Sequence, residues 1–275
     1  MSKRHRTTPS VVLAAYILSG GASATAEPLL VDTALLIASD VSGSMTEEDL
    51  DLLRGGVVSA LRDPMVIDAA LSGRYGRAAL GYLEWAGPGT ASLRANLRAV
   101  EDAAGFEVLA REILNLRPQP EHQGRDGTTA MGDAIQAAYY SLSSLEIVAE
   151  RRVIDVSGNG VANAGVPISQ TRDWLVGQGI TINGLPIGAP TSPVIRFYDE
   201  CVVGGLGAFR FRANDLGDYS DAMRYKMRLE FTWRSEGGRV LQAVADPGDV
   251  RFAGSAPACD STGWTYGNVK PPGGH

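Results

Sequence analysis

The sequence has no excess of basic residues and few of the side chains that thiol chemistry requires. Its 25 Lys and Arg residues are outnumbered by 31 Asp and Glu, which gives a net charge of −6, and it has only two cysteines and three histidines. An acidic chain is a poor partner for nucleic acid or anionic lipid. A catalytic thiol needs a histidine base, and only His122 and His275 lie beyond the first 26 residues. These shortages argue against a nucleic-acid-binding protein and against a thiol enzyme.

The start of the chain has the three-part pattern of a secretory signal peptide. Basic residues at positions 3, 4 and 6 precede a mostly apolar run at 11–19, and residues 24–26 (Ala-Thr-Ala) supply small side chains at a cleavage position. The alternative is an uncleaved membrane anchor, but the run is shorter than the ~20 residues that span a bilayer. We expect cleavage after about residue 26 and a periplasmic or secreted chain with no transmembrane segment. Losing three basic and no acidic residues moves the net charge from −6 to −9.

Both cysteines, Cys201 and Cys259, lie in the part expected to be exported. In an oxidising compartment a lone pair of cysteines most often forms one disulfide. We therefore expect a bridge that ties the C-terminal tail to the folded domain.

Beyond the leader, strand and helix patterns alternate. The expected strands are 32–40, 76–85, 151–157, 179–187 and 208–212, and the expected helices are 46–61, 106–116, 130–147, 168–178, 194–201 and 216–231, with 90–100 an ambiguous edge strand. This alternation predicts a doubly wound α/β fold, with a mostly parallel sheet and helices on both faces. Residues 27–232 form the expected domain, and 233–275 the expected irregular C-terminal extension.

The loop after the first strand carries three oxygen side chains. Asp40, Ser42 and Ser44 are spaced i, i+2, i+4 and can converge on one side of an extended backbone. One carboxylate with two hydroxyls suits Mg²⁺ and similar hard ions. The same residues are common in turns, and segments 44–47 and 46–49 both fit helix capping boxes. This stretch alone leaves helix cap and metal loop open.

Two more loops, 127–129 and 157–160, carry small oxygen side chains to strand ends, where open α/β sheets bind ligands. The three loops resemble the von Willebrand factor type A fold and its metal-ion-dependent adhesion site (MIDAS), in segments 40–44 (DVSGS), 127–135 (GTTAMGDAI) and 156–160 (VSGNG). Their order and rough spacing match, and the resemblance covers about residues 32–232. Segments 84–87 (EWAG), 153–158 (VIDVSG) and 201–205 (CVVGG) look most like an uncharacterised exported bacterial branch of that superfamily.

The resemblance implies that Asp40, Ser42 and Ser44 surround a divalent ion, Mg²⁺ or else Mn²⁺ or Ca²⁺. It also implies that Thr129 completes the shell when a ligand is bound. Thr129 is preferred to Thr128 because an isoleucine then follows six residues on, as in the family's helix. Two adjacent threonines before a helix also fit a simple N-cap.

The third loop departs from the family. Asn159 stands where the site usually has Asp, which keeps one carbonyl oxygen but loses a negative charge. Asp40 is then the only motif carboxylate, so we expect weak metal binding that a partner's carboxylate strengthens. Asp155 does not obviously replace the missing charge, because it lies four residues earlier inside the strand.

For three nearby residues the sequence leaves two structural interpretations open. Glu84 approaches the ion through water or pairs with an arginine. Asp133 lies at the same rim or faces solvent. His122 precedes the threonines in a polar loop, where a histidine is usually just solvated.

These features predict a non-enzymatic, exported binding module whose ion accepts an Asp or Glu carboxylate from a protein partner. One alternative is a structural envelope protein whose loops bind nothing, which Asn159 favours. Another is a metal-assisted hydrolase, but the three loops offer no second carboxylate. Ser42 or Ser44 as a nucleophile would need a base that the sequence does not mark.

Overall fold

The computed structural model describes residues 27–43, 45–117, 127–143, 147–232, 250–253 and 259. The expected signal peptide therefore lies outside the described residues. One seven-stranded sheet runs through the molecule in the order β3-β2-β1-β4-β5-β6-β7. The pairs β2–β3 and β6–β7 are antiparallel, and all other neighbours are parallel. This is the mostly parallel α/β sheet that the alternating sequence pattern predicts.

The strands are β1 (Leu29–Asp40), β2 (Ala78–Trp85), β3 (Ser92–Val100), β4 (Ile147–Gly158), β5 (Ile180–Pro186), β6 (Phe209–Phe211) and β7 (Val250–Phe252). The helices are α1 (Glu47–Leu61), α2 (Pro64–Leu71), α3 (Ala103–Leu114), α4 (Met131–Ser143), α5 (Ile168–Gly177), α6 (Pro193–Phe197) and α7 (Leu216–Thr232). A π-helical turn, Tyr198–Val202, continues α6. Among the described residues, no helix combines the length and apolar character needed to cross a membrane.

The sheet separates two apolar layers because successive side chains of a strand point to opposite faces. On β1, Leu35 and Ile37 pack against α1, α3 and α7. Leu36 and Ala38 of the same strand pack against α4, α5, α6 and the π-helical turn. The sheet is thus covered on both faces, and the candidate loops lie at the edge where the parallel strands end.

Several elements differ from the sequence prediction. Helix α2 was not predicted; it starts at Pro64 with Asp63 as its N-cap, so the proline that ends α1 also begins the next helix. Helix α4 ends at Ser143 and β4 already begins at Ile147, because the half-buried start of β4 pairs with Leu29–Val31 of β1.

The C-terminal extension, predicted to be irregular, contains the short strand β7. It pairs with β6 at the edge of the sheet, through Phe209 and Phe252 among others. The disulfide between Cys201 and Cys259, with Cα atoms 4.9 Å apart, joins the extension to the π-helical turn. This is the bridge that the sequence predicted, and it attaches a part of the extension to the domain.

Candidate metal centre

Asp40 is the last residue of β1, and its side chain is fully buried. The backbone N–H of Ser42 donates to Asp40 Oδ1 over 2.9 Å. The other oxygen, Oδ2, has no hydrogen-bond partner among the described residues. Burial raises the pKa of Asp40 to about 6, and the hydrogen bonds from Ser42 act in the opposite direction. A buried carboxylate whose negative charge is offset by so few hydrogen bonds is a group that a bound cation would stabilise.

Capping of helix α1 is carried out by other residues. Thr46 Oγ1 accepts from the N–H of Asp49, and Asp49 Oδ2 accepts from the N–H of Thr46. Of the two capping boxes that the sequence allows, the structure thus forms the one at 46–49. Asp40 and Ser42 stand outside that cap. Ser44 lies outside the described residues.

The second loop holds Thr129 by its backbone at the start of α4. The N–H of Thr129 donates to Asn163 Oδ1 over 2.7 Å, and Asn163 Nδ2 donates to the carbonyl of Gly127 over 3.1 Å. The backbone N–H of Ala130 donates to the carbonyl of Ala86 after β2. Sequence reasoning missed the role of Asn163, because an asparagine in a glycine-rich stretch signals only a turn.

The two threonines of this loop face different neighbours. A Cβ atom placed on Gly160 of the third loop would lie 3.8 Å from Thr129 Oγ1. A Cβ placed on Gly87, after β2, would lie only 2.4 Å from Thr128 Oγ1. Thr129 is therefore the threonine whose hydroxyl lies towards the third loop, and its side chain is buried.

The third loop lies between the other two. A Cβ on Gly158, at the end of β4, would lie 2.9 Å from Asp40 Oδ2. Asn159 is exposed, and its Nδ2 is 3.6 Å from Sδ of Met45 in the first loop. The glycine at 158 thus lets the backbone of this loop lie against Asp40, and Gly160 brings the same loop close to Thr129.

The other acidic residues near the edge have structural partners. Glu84 is buried and contacts Arg54 Nε at 2.7 Å and Arg94 NH1 at 3.0 Å, so it follows the arginine-pairing alternative. Asp133 Oδ1 accepts from the N–H of Val166 over 2.7 Å and so holds the segment after β4. His122 lies outside the described residues.

The donor set of the three loops is one carboxylate with hydroxyl and amide oxygens. Within the described ranges, no three His, Cys, Asp or Glu side chains cluster to hold a metal. Oxygen donors of this kind fit a hard divalent cation, and a single carboxylate fits weak binding.

Solved structures of low sequence identity have a similar fold. Two structures of proximal thread matrix protein 1 from the mussel byssus each give a TM-score of 0.55, at 14% and 16% identity, and each similarity covers 75% of this chain and 50% of the mussel chain. In the second of these the MIDAS motif is occupied by zinc. The VWA domain of SpRpn10 aligns over 70% of this chain and 94% of its own, with 15% identity and a TM-score of 0.48.

This chain spans about half the length of the mussel protein, and at such identities the likeness shows the fold alone. Among curated proteins there is no significant match. One family, described as "Protein of unknown function (DUF1194)", matches residues 30–235. The chain therefore belongs to this family, and its fold is that of the von Willebrand factor type A domains.

Proposed function

We propose that this protein is an exported, non-enzymatic binding module that engages a carboxylate of a protein partner through a weakly held divalent cation. The observation that carries the proposal is the approach of the first and second loops to the third, at Gly158 and Gly160, beside the buried carboxylate of Asp40. A turn-forming or capping role would not require this convergence. Export rests on the signal-peptide pattern of residues 1–26.

In this proposal Asp40, Ser42, Ser44 and Thr129 hold the ion, and Asn159 contributes its amide oxygen. A bound Mg²⁺ supplies an electrophilic centre with positions left for oxygen ligands from outside. Because Asp40 brings the only charge of the three loops, the ion keeps much of its positive charge. A Glu or Asp side chain of a partner is the ligand that best neutralises it.

Zinc has to be considered beside magnesium, since the MIDAS motif of the mussel protein can hold it. Zinc prefers cysteine thiolate and histidine imidazole ligands, and the three loops contain no Cys or His. We therefore propose Mg²⁺, with Mn²⁺ or Ca²⁺ as substitutes.

The test combines direct metal binding with capture of partners. Calorimetry on the mature chain should show Mg²⁺ and Mn²⁺ binding at up to millimolar concentration, and Asp40→Ala should abolish it. A pull-down from the native envelope should recover partners in Mg²⁺ that are lost in chelator and lost with Asp40→Ala.

Asp68→Ala is the matched control, because it removes one exposed carboxylate from α2. Helix α2 contributes Ala69 and Ala70 to a cavity that also contains Asp32, near the opposite end of β1. This variant should bind metal as the wild type does. If the wild type binds none of these ions, or if Asp40→Ala binds them equally well, the metal-dependent function is wrong and the structural envelope alternative gains support.

A further inference from the structure

Tyr198 opens the π-helical turn and is fully buried among the side chains that cover the α4 and α5 face of the sheet. Its hydroxyl has no hydrogen-bond partner among the described residues. Buried tyrosine hydroxyls usually have one, because an unpaired polar group inside a protein is costly. The phenol of Tyr198 therefore has an unused proton to donate.

Two glycines on neighbouring strands make room for this side chain. A Cβ on Gly184 of β5 would lie 2.5 Å from Cδ1 of the Tyr198 ring. A Cβ on Gly158 of β4 would lie 3.1 Å from the Tyr198 hydroxyl oxygen. The ring thus lies against β5 and its hydroxyl reaches β4, in the direction of β1.

The hydroxyl group of Tyr198 lies beside Asp40, at the end of β1. The Cβ position on Gly158 is within 3.1 Å of the Tyr198 hydroxyl and within 2.9 Å of Asp40 Oδ2. Both atoms are buried, and neither has a hydrogen-bond partner among the described residues. One is a donor and the other an acceptor, so each supplies what the other lacks.

We propose that Tyr198 is a positioning residue for the metal site and that it donates its hydroxyl proton to Asp40 Oδ2, directly or through one water molecule beside Gly158. The proposal rests on the proposed function, because Asp40 is the carboxylate that would hold the ion. With Ser42 on Oδ1 and Tyr198 on Oδ2, each oxygen still has a lone pair for the cation. Such hydrogen bonds fix the orientation of a ligating carboxylate and commonly change metal affinity by ~10-fold or more.

The electrostatics around Tyr198 keep it a donor. Burial raises the pKa of Tyr198 well above its usual value, and the neighbouring carboxylates of Asp40 and Asp155 raise it further. The phenol therefore keeps its proton at neutral pH.

The experiment compares Tyr198→Phe with Tyr219→Phe in the mature chain. Tyr219 is also fully buried, but its hydroxyl donates to Ser157 Oγ over 3.2 Å on the opposite face of the sheet. Calorimetry with Mg²⁺ or Mn²⁺ alone should show an affinity about 10-fold lower for Tyr198→Phe, and an affinity within about twofold of wild type for Tyr219→Phe. Gly158→Ala should weaken binding as well, because its Cβ would separate the two groups.

A second readout needs no metal. In NMR spectra of chain labelled with ¹³C at tyrosine Cζ, the Tyr198 resonance is the one missing from Tyr198→Phe. In the metal-free protein this resonance should shift in Asp40→Ala, and in the wild type it should shift again on saturation with Mg²⁺.

The two readouts separate the two proposals. If the wild type binds no metal but the Tyr198 resonance still responds to Asp40→Ala, the proposed function fails and the hydrogen bond stands. If the wild type binds metal while Tyr198→Phe keeps its affinity, the positioning role is overturned. A Tyr198 resonance that is insensitive to Asp40→Ala also overturns it.

Discussion

The Nζ atom of Lys226 lies 2.6 Å from Oδ1 of Asp155, and both side chains are fully buried. Glu230, one turn further along α7, contacts the same ammonium group at 2.6 Å. Asp155 points to the α7 face of the sheet, whereas Gly158, three residues on, faces Asp40 on the other side. The carboxylate nearest in sequence to Asn159 is thus committed to an ion pair and leaves Asp40 as the charged group of the candidate site.

The ion pair predicts a large effect of Lys226→Met on stability. Removing the lysine would leave the buried carboxylates of Asp155 and Glu230 without their shared cation. We expect a loss of about 3–5 kcal/mol in the free energy of unfolding, measured by urea denaturation. Mg²⁺ affinity should not change, because the cluster is on the opposite face from Asp40. Arg228→Met on the same helix, which replaces a half-buried side chain, should cost clearly less.

The burial of Asp155 also predicts that the stability of the protein depends on pH. Burial raises the pKa of Asp155 above its usual value, and Lys226 partly opposes this while Glu230 adds to it. Above about pH 4, the carboxyl group of Asp155 therefore keeps a proton in the folded protein that it releases in the unfolded chain. Since the folded state then holds more protons, the contribution of this group to stability declines as the pH rises above that value.

Asp155→Asn removes this contribution. The free energy of unfolding, measured in urea from pH 4 to 7, should fall less steeply with pH in Asp155→Asn than in the wild type. Asp68→Asn, which alters an exposed carboxyl, is the control and should keep the wild-type slope. Equal slopes for wild type and Asp155→Asn would contradict the raised pKa.

Restoring a charge to the third loop should strengthen the site. Asn159→Asp adds a second carboxylate at an exposed position, so we expect several-fold tighter Mg²⁺ binding, on the order of 1 kcal/mol. Calorimetry measures this directly. Asn96→Asp, on the exposed surface of edge strand β3, adds the same charge elsewhere and should leave the affinity unchanged. Equal affinities for Asn159→Asp and wild type would show that Asn159 does not face the ion.

The disulfide should contribute to stability through the length of chain that it closes. Cys201 and Cys259 are 58 residues apart in sequence, and a loop of this size corresponds to about 4 kcal/mol in the chain-entropy model. The double variant Cys201→Ser/Cys259→Ser should unfold at lower urea concentration by about 2–4 kcal/mol. Reductant should destabilise the wild type by a similar amount and leave the double variant unaffected. A double variant that unfolds at the same urea concentration as the wild type would contradict the predicted stabilisation by the bridge.

The sequence by itself was sufficient for the alternation of strands and helices, the three loops and the pairing of the two cysteines. The elements and loops follow from local periodicity and from turn residues, which act over a few positions. The pairing follows from the presence of only two cysteines. The sequence also predicted the capping segment 46–49 beside the loop of Asp40, although it could not choose between that segment and 44–47.

Tertiary structure alone decided which polar groups meet. The orientation of Asp155 towards Lys226, the pairing of Glu84 with two arginines and the arrival of Tyr198 beside Asp40 all join residues that are far apart in the chain. Such contacts depend on the order of the strands in the sheet, which no local pattern encodes. For the same reason the charge of Asp40 follows from the sequence, whereas only the fold buries that charge and places Gly158 and Tyr198 against it.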